Sequence, residues 1–264
     1  MDDHTQDIQN LIDRAEQGGT VVIPGRYNIN AEVGVRLKSG ITLQIDGTLA
    51  AIPNALTHYD IIKVSGCSNV KITGHGVIQG ERDQHTGQGG EWGMGIRIDG
   101  GSSNVTVEGV TITKCWGDGV YVDGASNVSI EGIVSDGNRR QGASIIDVNG
   151  LKIRNSIFQN IGGTAPGDGI DLECDRPEQT IENVLIEFNT FRNTQGSSIG
   201  IGSPNGTYRR IVVRNNSFDR KSQPIWRSGQ AGRLGAPAQA VILNALFEKW
   251  SGYRWWGYPT EVTI

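Results

Sequence analysis

The sequence predicts an all-β fold: a single-stranded right-handed parallel β-helix, closed by a capping helix at its N-terminal end and by an aromatic-rich cap at the other. Three observations carry that prediction. Two kinds of short β-branched run recur in register with a period of about 23 residues, as in a solenoid whose coils stack on one another. Glycine numbers 38 and proline only 8, which gives glycine about twice its usual share of roughly 7% and marks a folded chain full of tight turns. Within each run, apolar and polar residues alternate, as strands buried on one side require.

The first kind of run reads IIKV from Ile61, GIRI from Gly95, GVYV from Gly119, GASI from Gly142, GIDL from Gly169 and SIGI from Ser198. From Gly95 onward the steps are 24, 23, 27 and 29 residues. The second kind reads NVKI from Asn69, NVTV from Asn104, NVSI from Asn127, GLKI from Gly150, NVLI from Asn183 and RIVV from Arg210. A third short segment ends many coils, as in GVTIT from Gly109 and NTFRN from Asn189. Leucine-rich repeats share the period, but their fixed leucines are missing here.

Taken in chain order, residues 5–17 carry Ile8, Leu11, Ile12 and Ala15 at helical spacing and predict a lid over the open apolar end of the solenoid. The coils are expected over 20–218. Asn69, Asn104, Asn127 and Asn183 fall at one turn, where Asn tolerates unusual backbone angles and bonds its neighbour one coil away. That ladder also accounts for the glycosylation-like triplets at Asn104 and Asn127. The segment ERDQHTGQGGEWGM, residues 81–94, interrupts the period, and such insertions often border a binding groove; His85, Glu91 and Trp92 are its notable side chains. After Phe218 the repeat fades. The tail 219–264 holds Trp226, Trp250, Tyr253, Trp255, Trp256 and Tyr258, a C-terminal cap or subunit contact or else a platform for sugar rings. The whole chain, 1–264, reads as one domain.

Composition excludes several partners. A net charge of -4 offers no general attraction for nucleic acid or an anionic membrane, and no run of 18 apolar residues exists to span a bilayer. The acidic, amphipathic N-terminus reads as lacking a signal peptide. Cys67, Cys115 and Cys174 are widely spaced and odd in number, and are expected as buried free thiols. The four histidines show no metal-ligand spacing, so no metal site is expected.

Equal positions of successive coils stack about 4.8 Å apart, so they form columns. The residue before each strand glycine gives the column Met94, Asp118, Gln141, Asp168; beside it run Arg97, Tyr121, Ser144, Asp171, and then Asp99, Asp123, Ile146, Glu173. Arg139 and Arg140 enter at the middle coil. One outer wall then collects acids, guanidinium groups and a tyrosine, a set suited to cleaving a glycosidic bond. Asp118, Asp168 and Asp171 are the candidate catalytic residues, with Asp118 as base and either of the others as acid, assignments that are interchangeable at this stage. Arg139, Arg140, Arg97, Tyr121, Glu173, Trp92 and Trp116 are candidates for binding substrate, the arginines gripping the carboxylate of an acidic sugar. The plainer alternative is that Asp118 and Asp168 shape two equivalent bends and pair with the arginines.

The opening helix, GGTVVIPGRYNI from Gly18, ITLQIDGTL from Ile41 and the later coils resemble the pectate-lyase-like β-helix superfamily over roughly residues 5–218. The segments WGDG at Trp116–Gly119, NRRQG at Asn138–Gly142 and GTAPGDGIDLE at Gly163–Glu173 resemble bacterial and phage right-handed β-helix repeat proteins. The resemblance implies action on polysaccharide and marks fold more strongly than reaction. The Asn-Thr-Asp, paired-Asp and Arg-Ile-Lys signatures of polygalacturonases are not found in order, and the GHG at Gly74–Gly76 lies too early. Where alginate epimerases have Tyr-Gly-Phe-Asp-Pro-His, this chain has Asp118-Gly-Val-Tyr-Val-Asp. Asp171, Glu173 and Asp175 with Arg139 or Arg140 imitate the calcium cluster and arginine base of pectate lyases, so Ca2+ is the one cofactor expected, and only for a lyase.

The expected activity is therefore that of a glycoside hydrolase on an acidic extracellular or capsular polysaccharide. The alternatives are a lyase or uronate epimerase using Arg139 or Arg140, and a non-catalytic glycan-binding or tailspike-like module. The protein is expected outside the cell or on a virion, as a monomer or homotrimer.

Overall fold

The structure, a computed structural model, describes residues 1–203 and 205–219, and beyond them the backbone of the strands Gln223–Arg227, Ala240–Leu243 and Leu246–Phe247. The expected aromatic cap (Trp250, Tyr253, Trp255, Trp256, Tyr258) lies outside the described residues.

Each coil lends a strand to three faces, and every pairing is parallel, to the coil before and the coil after. Face one holds His58–Ser65, Trp92–Asp99, Ile170–Leu172 and Ser197–Ile201. Face two holds Thr20–Ile23, Thr42–Ile45, Ser68–Thr73, Ser103–Glu108, Thr180–Glu187 and Thr207–Arg214. Face three begins with Arg26–Ile29 and runs through Ile157–Gln159 and Thr190–Arg192 to Ser217–Phe218. In the middle coils the 12-residue strands Val120–Glu131 and Ala143–Arg154 turn the corner from face one to face two without a break.

The register follows the aligned runs: Val120 lies against Ile96 and Ala143, Ala143 against Ile170, and Ile170 against Ile199. One column differs from expectation. Asp123 pairs with Asp147, because an irregularity in the ladder between Val122 and Ala125 leaves Ile146 unpaired in register. Parallel pairing also continues past Phe218, as Gln223–Arg227, Ala240–Leu243 and Leu246–Phe247 each join the preceding coil. The sequence hid this coil because an insertion separates its strands.

The interior is filled by the inward residues of all three faces, largely Ile, Val and Leu at or near zero exposure. Phe158, Phe191 and Phe218 occupy one inward column on face three and stack with ring centroids 5.4 and 5.3 Å apart. Helix Thr5–Arg14 covers the N-terminal end through Thr5, Ile8 and Ile12. It is shorter than the expected 5–17, and Leu11, one position off that buried stripe, is 50% exposed. The three cysteines are buried and free.

The asparagine ladder is present in its upper and lower parts. Asn69, Asn104, Asn127 and Asn183 have φ between 52° and 58°, the left-handed region in which Asn is several-fold enriched. Asn104 donates to Asn69 and Asn127 to Asn104, at 3.1 and 3.2 Å. Gly150 takes the next rung, so Asn183 donates to Asn149 instead.

The phenylalanine column predicts a large penalty for a hole in its middle: Phe191→Ala is expected to lose about 3–5 kcal/mol of unfolding free energy, read as a lower denaturation midpoint in urea. A loss below about 1 kcal/mol would mean that neighbouring coils collapse into the space.

Candidate active site

The site lies on the outside of face one and owes its position to the glycine that opens each strand. A Cβ on Gly119, Gly142 or Gly169 would fall 2.6, 2.3 or 2.6 Å from the carbonyl oxygen of Gly142, Gly169 or Ser198 on the next coil. Only glycine permits that approach. The residues just before them, Asp118, Gln141 and Asp168, therefore stack at one corner, tied by Gly119 N–H to Gln141 O and Gly142 N–H to Asp168 O, both at 3.0 Å.

Asp118 is completely buried. Its carboxylate accepts from Arg140 Nη1 at 3.0 Å, the Gln141 N–H at 3.0 Å and Ser144 Oγ at 2.7 Å. Loss of water pushes its pKa up to about 6 even against these donors. Gln141 continues the network: its Oε1 accepts from the Asp168 N–H at 2.8 Å and its Nε2 donates to Asp171 Oδ2 at 2.6 Å.

Asp168 and Asp171 form the pair that reaches the surface, at 5% and 7% exposure. The Ser197 N–H donates to Asp168 Oδ1. Burial, with the charge of Glu173 adding to it, raises Asp168 to about 6. Asp171 is raised further, to about 8, by burial and then by the neighbouring charges of Glu173 and Asp168. Opposite Asp171 in the ladder stands Gly200, and a Cβ there would lie 2.5 Å from Asp168 Oδ2 and 2.9 Å from Asp171 Oδ1. One atom placed above Gly200 is thus within reach of both carboxyl groups.

The remaining candidates divide. Arg140 joins the acids: its Nε lies 3.6 Å from Glu91, and its guanidinium lies 5.6 Å from the Trp92 ring. The surrounding acids, Asp118 foremost, hold it ionised against the cost of burial. Glu173 is half-buried beside Asp171 and acts on it through its charge. Tyr121, expected on the outer wall, is 4% exposed and packs with Met94, Ile146 and Trp92, with Arg97 4.5 Å over its ring. Arg97 is bound to Asp60 at 2.8 Å. Trp116 is half-buried, with the His85 ring and the Arg139 guanidinium each 3.8 Å from its ring, so the protein's own groups already stack on it. Arg139 itself donates to the carbonyls of Gly90 and Trp116 rather than facing the carboxyl pair. Trp92, stacked on His58, is partly exposed, as is Trp116.

Sequence reasoning missed the anchoring roles of Gln141, Ser144 and the Ser197 N–H, and missed Gly200, whose contribution is the side chain it lacks. Gln141 left a signal, since it stands between two aspartates in their own column, and the aligned runs already set Ser144 and Gly200 on either side of Asp171. Among the described residues no three His, Cys, Asp or Glu side chains converge as a metal set, so Asp171, Glu173 and Asp175 do not form the calcium cluster that a lyase would use. No described helix is long and apolar enough to cross a membrane.

A family model described as a right handed beta helix region matches residues 26–186. The uncharacterized protein YclG of Bacillus subtilis is 29% identical over 237 residues, which cover 75% of this chain and 40% of YclG. The chain thus spans about two fifths of that relative's length. Among solved structures, the family 28 exopolygalacturonase of Yersinia enterocolitica superposes with a TM-score of 0.63 at 16% identity, covering 94% of this chain and 63% of its own. The A-module of the mannuronan C-5 epimerase AlgE6 of Azotobacter vinelandii gives 0.62 at 16% identity, covering 85% and 65%. At these identities the likeness is one of fold.

The raised carboxyl pKa values fix the sign of a pH effect. Between the ordinary carboxylate value of 3.8 and about 8, the folded chain holds protons that the unfolded chain has released. This cluster's contribution to stability therefore falls as pH rises through that window and levels off above it. Asp171→Asn is expected to flatten the fall, unfolding at a higher temperature than the unaltered protein at pH 8 and at nearly the same temperature at pH 4. Parallel melting curves for the two proteins across that range would contradict the assignment.

Proposed function

The chain belongs to the right-handed β-helix family, and on that premise we propose that it hydrolyses a polysaccharide at the Asp168–Asp171 pair. The observation that carries this reading is the pair itself: two carboxyl groups within reach of one atom above Gly200, one of which keeps its proton near neutral pH. A protonated carboxyl beside an ionised one is what glycosidic cleavage asks of its acid and its partner. The polysaccharide-acting structures of the same fold support the substrate class.

In this reading Asp171 gives its proton to the leaving glycosidic oxygen. Asp168 Oδ2 attacks the anomeric carbon to form a glycosyl ester as that C–O bond breaks. Water then displaces Asp168, giving up its proton to the Asp171 carboxylate, which returns the pair to its starting state. The short reach between the groups favours this double displacement over direct attack by water, which needs carboxyls roughly 6.5–9.5 Å apart. Asp118 is a positioning residue here: its burial leaves no path for a water, and it acts by holding Arg140, Gln141 and Ser144. A lyase route through Arg140 is disfavoured, because a guanidinium held ionised by Asp118 is a poor base.

Digestion of a broad glycan panel is expected to release new reducing ends without the ultraviolet-absorbing unsaturated sugar that a lyase leaves, and with the anomeric configuration retained in the first product seen by NMR. Asp171→Asn and Asp168→Asn are each expected to lower kcat by about 10²–10⁴-fold. Release that persists in both variants removes the site; binding without release from any glycan makes the protein a binding module.

A further inference from the structure

On the outside of face two, a wall away from the carboxyl pair, lies a groove of about 270 Å³. It opens where the asparagine ladder is interrupted. Gly150 stands at the rung that Asn127 and Asn183 hold on the neighbouring coils, and a Cβ there would lie 2.9 Å from Asn127 Oδ1. Ser129, Lys152 and Leu185, outward residues of three successive coils, form the floor. Asn127 and Asn183 border it on one side and Arg154 on the other.

Two rungs of this wall break the repeat in opposite senses. Gly150 removes a side chain, and the groups around it are left with unmet hydrogen bonds. Asn127 donates to Asn104 at 3.2 Å, but its Oδ1 has no donor among the described residues, because Gly150 has no amide to offer. Arg154 Nη2 is bound to Glu131 at 2.9 Å, while its Nε is buried without an acceptor. Phe188 does the reverse and adds a side chain. At the turn that ends face two, the other coils place Gly109, Gly132, Asn155 and Asn215 where this coil has Phe188. Its φ is 56° and it is 54% exposed. A bulky residue is disfavoured in that left-handed conformation, and a phenyl ring facing water gains nothing in return. It follows Glu187, the ladder partner of Arg154, and so stands at the edge of the groove.

We propose that this groove, with Phe188 at its edge, is a second, non-catalytic binding site for a neutral sugar segment. A pyranose ring carries an apolar C–H face and a rim of hydroxyls. Leu185 and Phe188 present apolar surface to the first, while Asn127 Oδ1 and Arg154 Nε are an acceptor and a donor for the second. Other occupants match less well. Arg154 is balanced by Glu131, so Lys152 is left as a lone positive charge, too little to draw a polyanion. A groove of this volume takes a sugar ring rather than the face of a second protein, which needs about 800 Å² from each partner. The inference goes beyond the hydrolase reading and does not rest on it. Whether face one cleaves or only binds, a second hold on the same polymer raises its effective concentration at the first.

The test measures, by calorimetry, the binding of neutral hexasaccharides of glucose, galactose, mannose and xylose to the unaltered protein and to Gly150→Asn, Phe188→Asn and Asp168→Asn. At least one sugar is expected to bind. Gly150→Asn, which restores the ladder rung and fills the groove, should weaken that binding about tenfold or more. Phe188→Asn should weaken it about tenfold while raising the melting temperature by about 2–4 °C, because Asn suits the turn. Asp168→Asn should leave it unchanged. Undiminished binding in both groove variants overturns the inference, as does binding of no member of the set. Loss in Asp168→Asn alone also overturns it, since the sugar then sits on face one and the hydrolase reading gains. A Phe188→Asn protein that melts below the unaltered one would make the ring a structural element and remove it from the site.

Discussion

Everything on this molecule's outer wall depends on the contact at which one coil touches the next: the glycine that opens each face-one strand, lying against a carbonyl of the following coil. Gly119, Gly142 and Gly169 each approach that carbonyl more closely than any side chain allows. The contact fixes both register and rotation, because a slip of one residue would drive a Cβ into backbone and turn every inward side chain outward. The parallel ladders on the three faces repeat the same register coil after coil, so the position of Asp118 determines those of Gln141 and Asp168.

A solenoid built this way obtains a reaction centre by altering single rungs of a stack that is otherwise structural. In the column Arg97, Tyr121, Ser144, Asp171, Gly200, the first two rungs are packed against neighbours. The third donates to Asp118, the fourth carries the acid and the fifth is empty. The gradient runs from filled to open along the axis. Carboxyls at the edge of that opening lose much of their water without losing access, which is why their protons are held to higher pH than an exposed carboxylate would allow.

The fold was legible because a solenoid writes its three-dimensional register as a one-dimensional period. Aligning GVYV, GASI and GIDL already amounted to superposing coils, and the columns through Asp118 and Asp171 follow directly. What could not be read was depth. Asp118 and Asp168 occupy the same column, yet one is sealed beneath Arg140 and Ser144 and the other reaches solvent, a difference made by neighbours one coil further along the chain. Trp116 and Tyr121 stood as candidates for binding substrate for the same reason; in the fold their rings carry His85, Arg139 and Arg97, which arrive from other coils and from the inserted loop. The extra coil after Phe218 escaped because its strands are spread by an insertion.

Arginine placement shows how far residue type alone can mislead. The adjacent pair Arg139–Arg140 stands out in the sequence. In the fold, Arg140 has its charge answered by Asp118 and Glu91, and Arg139 donates from Nη1 to two carbonyls and lays its flat face on Trp116. A charge already answered by the protein gains little from a second partner, although the buried Arg140 Nε keeps a hydrogen-bonding group without an acceptor. Unmet hydrogen-bonding capacity, rather than the density of charged residues, marks where a wall of this kind is ready to bind.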